Sequence, residues 1–239
     1  LIVSHMKPFA PRAGNEQHLY RMLRWMSEQG YDVIYVFIAH ENITDSDLDE
    51  ARRYLYRVHR IDLGQRWNRL RHYRRTFLEG ARNLVWHLEN ADWGLEDLAK
   101  PLHPLRIAAF DELWCPDHAA EQVKVLIRQY KPDVVMAQYI FMSRCLPGPD
   151  SNALRIIDTH DLFSTRYKHL KNTNIVEYHQ ALSAEEEALL LSRADVIMTS
   201  QDDEAQAIRD MGLMQRVFTI AIDMDLPAPA RKGSETPGE

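Results

Sequence analysis

Three stretches of the chain carry side chains that could do chemistry. In the first, the apolar run ending at Ile156-Ile157 passes into Asp158-Thr159-His160-Asp161. A histidine just past a strand's carboxyl end stands where a doubly wound sheet presents ligand-contacting groups, and imidazole changes charge near neutral pH. His160 is therefore the catalytic candidate, set against the plainer reading of a ring bonded to a loop carbonyl. Asp161, Ser164 and Arg166 follow closely enough to touch a polar or anionic ligand, although Arg166 fits a surface ion pair at least as well. Asp158, His160 and Asp161 suggest a metal, but no further ligand cluster completes a site, so no metal is assigned.

The second stretch is the loop His5 to Gly14. It follows the apolar run Leu1-Ile2-Val3-Ser4 and leads into a helical pattern at Leu19, Met22, Leu23 and Met26. It lacks both GxGxxG and the Gly-Lys-Ser/Thr of a phosphate loop, which weakens a dehydrogenase or nucleoside triphosphatase reading. Arg12, Gly14 and Asn15 are the binding candidates here, because backbone N–H groups at a helix start favour negative charge. A glycine that merely relieves the turn is the competing reading. His5, Lys7, Arg12 and His18 together predict a mildly basic crevice.

The third stretch, Arg52 to Arg82, holds ten arginines against Asp62 and Glu79, a formal charge of +8 in a chain whose net charge is −6. Tyr54, Tyr56, Trp67, Tyr73 and Phe77 interleave with them. Such asymmetry suggests an anionic partner. Three readings fit: a patch of Arg66, Arg69, Arg71, Arg74 and Arg75 on anionic lipid, a nucleic-acid groove, or an amphipathic helix with arginine on its wet face. The acidic chain as a whole disfavours nucleic acid.

These stretches need elements to hold them. Strand, glycine-bearing loop, helix, Gly30 and the strand Val33–Ile38 form a βαβ unit with parallel neighbours. Further strands are expected at 56–61, 134–137, 154–158, 195–199 and 217–220. Helices are expected from Trp67 to Leu88, over 117–130, over 175–193, and from a Ser200 cap with Asp203 in the box position to about Gly212. Pro101, Pro104 and Pro116 leave 91–115 as short helices and loops. Glu185-Glu186-Glu187 reads as a solvated helix face. The pattern is α/β: a doubly wound, mostly parallel sheet with helices on both faces, over one domain at 1–222, with a linker-like tail at 223–239.

At 239 residues the chain is short for two such domains. Cys115 and Cys145 make neither a disulfide framework nor a zinc site, which fits a reducing cytoplasm. No leader or spanning segment is read. The chain begins inside a strand, so a few residues are expected to precede Leu1. No serine nucleophile elbow supports a hydrolase.

Several motifs in order resemble the amino-terminal domain of the retaining, glycogen-synthase-like GT-B glycosyltransferases of family 4. They are Pro8-Phe9-Ala10-Pro11-Arg12-Ala13-Gly14-Asn15-Glu16-Gln17-His18, Gly30-Tyr31-Asp32-Val33, Lys131-Pro132-Asp133-Val134-Val135, Ile157-Asp158-Thr159-His160-Asp161, and Glu187 with Ala194-Asp195-Val196-Ile197-Met198-Thr199-Ser200. Ala13-Gly14 stands where the family usually has two glycines. The resemblance implies a Rossmann-like half of a GT-B fold and a sugar moved from a nucleotide-sugar donor to a saccharide or lipid-linked acceptor. It implies that His160 contacts the donor sugar or helps position the acceptor, and that no metal cofactor is used. The donor nucleotide would be held by a carboxyl-terminal domain that residues after Ile222 are too few to form, so this chain alone is expected to be inactive. A lipid-linked acceptor implies peripheral contact with the inner face of the membrane. The competing reading is a non-catalytic α/β subunit that recruits a separate catalytic chain to a membrane.

Overall fold

The structure, a computed structural model, describes residues 1–9, 14–40, 44, 46–63, 80, 103–165 and 182–220. The expected helix from Trp67, the arginines 66, 69, 71, 74 and 75, Arg12, Arg166 and the tail lie outside these residues.

Seven strands are described: β1 (Ile2–Ser4), β2 (Ile34–Ala39), β3 (Arg57–Asp62), β4 (Val134–Gln138), β5 (Leu154–Thr159), β6 (Val196–Thr199) and β7 (Arg216–Thr219). They form one sheet in the order β3-β2-β1-β4-β5-β6-β7. Every pairing is parallel, a stricter outcome than the mostly parallel sheet expected. The order runs outward in both directions from β1 and β4. Right-handed crossovers therefore place α1 (Gly14–Glu28) and α2 (Asp49–Arg52) on one face, and the helices after β5 and β6 on the other. Such a sheet is covered on both sides, which is why β2 reads as the unbroken apolar run Ile34-Tyr35-Val36-Phe37-Ile38, all buried.

Between β3 and β4 lie α3 (His103–Trp114) and α4 (Asp117–Tyr130). Of the stretch 91–115 expected as short helices and loops, residues 103–114 form one helix, and Pro101 lies outside the described residues. Pro104 falls in the first turn of α3, where its missing N–H costs nothing, and Pro116 is the N-cap of α4. After β4 a 3-10 segment, Ile140–Cys145, packs against α3 and α4, and Cys145 Sγ meets Cys115 Sγ at 3.1 Å, both thiols buried and free.

α5 (Ala184–Leu191) opens on a capping box: Ser183 Oγ accepts from Glu186 N at 3.2 Å, and Glu186 accepts from Ser183 N at 2.9 Å. Glu185 is exposed as expected, but Glu186 and Glu187 are fully buried, which overturns the solvated face for those two. Glu186 Oε1 lies 3.0 Å from Arg106 Nε of α3. Glu187 accepts the backbone N–H groups of Phe163 and Ser164 at 2.8 Å each. Burial pushes the Glu187 carboxyl up, and those bonds only partly offset it.

α6 (Asp202–Asp210) has Gln201, not Ser200, at its N-cap. Ser200 Oγ instead faces the Glu204 carboxylate at 3.4 Å. Gly212 follows with φ +73°, as a helix stop requires of a residue without Cβ.

Candidate functional site

Where the strand order reverses, the carboxyl ends of β1, β4 and β5 meet the start of α1, the place where a doubly wound sheet takes its ligands. Four polar side chains converge there from three elements. Gln138 ends β4 and Asp158 lies opposite it on β5, paired in register. His160 follows β5, and His18 comes from the second turn of α1. Sheet register therefore places Gln138 and Asp158 side by side, and the β1-α1 crossover brings His18 over them.

The geometry is a relay. His160 Nε2 lies 2.8 Å from Gln138 Oε1, and Gln138 Nε2 donates to Asp158 Oδ2 at 3.0 Å. His18 Nε2 is 3.6 Å and His160 Nε2 3.8 Å from the same oxygen. Burial pushes the Asp158 carboxyl up, but the His18 hydrogen bond, the flanking imidazoles and the Gln138 amide outweigh it, so the group sits below its ordinary value as a carboxylate. Burial lowers His160, and the Asp158 charge only partly opposes this, so the ring is neutral at pH 7.

Tyr139 roofs the cluster. Its ring lies 4.5 Å from that of His160, and its hydroxyl accepts from Asn15 Nδ2 at 2.9 Å. Its backbone has φ 61° and ψ 161°, a region nearly reserved for glycine, and its N–H donates to Asp158 O at 2.8 Å. A bulky residue held there stores on the order of 1–3 kcal/mol, and such strain gathers at ligand sites. Beyond it, His5 packs against Tyr139, Trp114 and Phe141. Burial, with the like charges of His40 and His160, pushes His5 down to about 3.

Of the candidates read from sequence, His160 and Asn15 are brought together here. Gly14 is the exposed first residue of α1, and a Cβ on it would meet nothing within 4 Å, so neither backbone conformation nor crowding demands glycine. Asp161 follows His160, its carbonyl accepting from Thr159 Oγ1 at 2.8 Å. Ser164 is buried and bound to Glu187, which makes it part of the loop's anchorage. The crevice is not basic through His5, which is neutral, or through His18, which faces the Asp158 carboxylate. Gln138 and Tyr139 were not singled out in the sequence. The signal was there: a polar pair closing the apolar strand Val134-Val135-Met136-Ala137 next to the switch point.

His18, Asp158 and His160 each offer a ligand atom within 4.8 Å of the others, and among the described residues no other such group occurs. His160 Nε2 and Asp158 Oδ2 are, however, already engaged by the two ends of the Gln138 amide, so these donors face one another rather than a vacant centre.

No family model matches the chain, and no curated protein matches it. Seven chains of solved structures do. Among them is UGT73P12 of Glycyrrhiza uralensis, in a crystal structure complexed with glycyrrhetinic acid 3-O-monoglucuronide. It is 9% identical with a TM-score of 0.43, over 92% of this chain and 48% of that one. The chain thus spans about half the length of that glycosyltransferase.

Proposed function

We propose that this chain is the acceptor-side domain of a retaining GT-B glycosyltransferase of family 4, which moves a sugar from a nucleotide-sugar donor to a saccharide or lipid-linked acceptor. The observation that carries the reading is the neutral, strand-end His160, held through Gln138 and Asp158 in line with His18 at the switch-point crevice. These neutral and amide groups suit the hydroxyls of a sugar. The ordered motifs of the sequence, from Pro8–His18 to Ala194–Ser200, support the same assignment.

In this reading His160 orients the reacting sugar, with Asn15 and the first turn of α1 beside it. Arg12, Gly14, Asp161 and Arg166 contact the ligand. Ser164 acts through the loop it anchors. The leaving diphosphate is stabilised by basic groups of a second, donor-binding domain. A lipid-linked acceptor would bring the protein to the cytoplasmic face of a membrane, with the arginines of 66–75 toward anionic lipid. Among the described residues no helix is long and apolar enough to cross a bilayer.

The test is transfer by the full-length protein across a panel of nucleotide sugars and acceptors, with the product's anomeric configuration read by NMR. Retention is expected, and His160→Ala is expected to lower kcat on the order of 10²-fold by misplacing the sugar. An inverted product would overturn the retaining assignment. Acceptor binding with no transfer by the full-length protein would instead favour a binding subunit.

A further inference from the structure

We infer that Gln138 is a positioning residue that fixes His160 in its Nε2–H form, leaving Nδ1 as the acceptor for a ligand hydroxyl. The inference deepens the sugar-binding reading of the same crevice and rests on it for the nature of the ligand. Its structural part follows from the order of donors and acceptors.

Asp158 is ionised and can only accept hydrogen bonds. The Gln138 atom 3.0 Å from its Oδ2 must therefore be the amide nitrogen, and this fixes which way the amide faces. The other end, the carbonyl Oε1, then points at His160 Nε2 across 2.8 Å. A carbonyl only accepts, so Nε2 carries the proton. In a neutral imidazole the remaining nitrogen, Nδ1, holds a lone pair, and among the described residues nothing donates to it.

The amide has little freedom to turn over. Gln138 is fully buried, and the parallel register of β4 and β5 holds it beside Asp158. Tyr139, next in the chain, is held at its positive φ with its N–H on Asp158 O at 2.8 Å. The His160 ring lies between Tyr139 and the edge-on ring of His18, whose centroid is 5.3 Å away, so a ring flip would require both neighbours to move.

The chemical consequence is selectivity. An imidazole presenting a lone pair binds a group with a hydrogen to give, such as a neutral sugar hydroxyl. It repels phosphate oxygens, which are acceptors too. The crevice at His160 therefore takes the hydroxyl face of the substrate, and the diphosphate must bind elsewhere.

The experiment is long-range proton–nitrogen NMR on the full-length protein labelled with [15N]histidine, with the His160 signals assigned by their loss in His160→Ala. The wild type is expected to show one neutral Nε2–H tautomer at pH 7, unchanged by millimolar inorganic phosphate. Gln138→Glu should keep it, because a protonated glutamate donates to Asp158 and accepts from His160 as the amide does. Gln138→Leu should give a mixture of tautomers. An Nδ1–H or mixed wild-type signal, ring protonation by phosphate, or an unchanged tautomer in folded Gln138→Leu would each overturn the assignment. If Gln138→Leu fails to fold, the wild type and Gln138→Glu still decide it. The spectra need no substrate, so absence of sugar transfer would sink the glycosyltransferase reading without touching the tautomer.

Discussion

Two polar networks, one behind the sheet and one at the carboxyl ends of its strands, differ in how they are closed. Behind the sheet, α3 is tied to the other helices by full charges: Arg106 faces Glu186, and Arg193 makes two bonds of 2.7 Å to Asp111 and one of 3.0 Å to Ser143. Every cation there meets a carboxylate. In the crevice, one carboxylate serves two imidazoles and an amide, and the chain of bonds ends on His160 Nδ1 with no protein partner among the described residues. Ion pairs that set charge against charge fix the helices; a chain of bonds that ends on an open lone pair is ready for a ligand. Glu186, Glu187 and Asp158 are all buried carboxylates, but Glu186 faces Arg106 and Glu187 accepts two backbone N–H groups, whereas Asp158 serves the chain of bonds that ends on His160.

The largest expected effect breaks the first network alone. Glu186→Ala leaves the Arg106 charge buried and removes the capping box, and should cost roughly 3–5 kcal/mol in urea unfolding. His160→Ala should cost far less stability and, under the proposed function, lower kcat on the order of 10²-fold. Equal stability losses in the two variants would erase the distinction drawn here.

Acid should act on the crevice side next. His5 titrates near 6.5 when unfolded and at about 3 when folded. The unfolded chain therefore binds the proton first, and the stability held above 6.5 drains away as pH falls toward 3, by roughly 1.4 kcal/mol for each unit between the two values. Asp158, lowered from 3.8, adds a contribution present above 3.8 and lost below it. His5→Phe should flatten the upper part of the pH profile of the denaturation midpoint; an unchanged profile would mean the ring is not buried neutral.

Two smaller changes sharpen the comparison. Tyr139→Phe deletes the bond from Asn15 and should cost about 1 kcal/mol, with the ring contact to His160 kept. Lys131, exposed and left-handed at φ 48° where α4 ends, should gain about 0.5–1 kcal/mol as Lys131→Gly, read as a rise in Tm without change in the crevice.

Much of this fold was legible in the residues. Apolar runs of four to six residues alternating with helical periods gave the strands near their observed bounds, because a parallel sheet buried on both faces writes itself as continuous Val, Ile and Met. The stop at Gly212 and the βαβ opening were equally plain. Less legible were α3, hidden behind prolines that turned out to sit at helix starts, and the start of α5. For α5 the Ser183-Ala-Glu-Glu186 signature was present, but the acidic triplet read as solvent-facing. Charge alone does not say whether an Arg106 lies opposite.

What the sequence determined by itself was the alternation of elements, the central place of β1, and His160 at a strand end, since period and composition are local properties of the chain. What only the tertiary structure decided was the company His160 keeps. Gln138, Asp158 and His18 come from positions up to 140 residues apart, and the register of β4 on β5 and the return of α1 over the sheet set their distances. Hydrogen-bond order, and with it the direction in which His160 offers its lone pair, is a property of those distances and of no single segment.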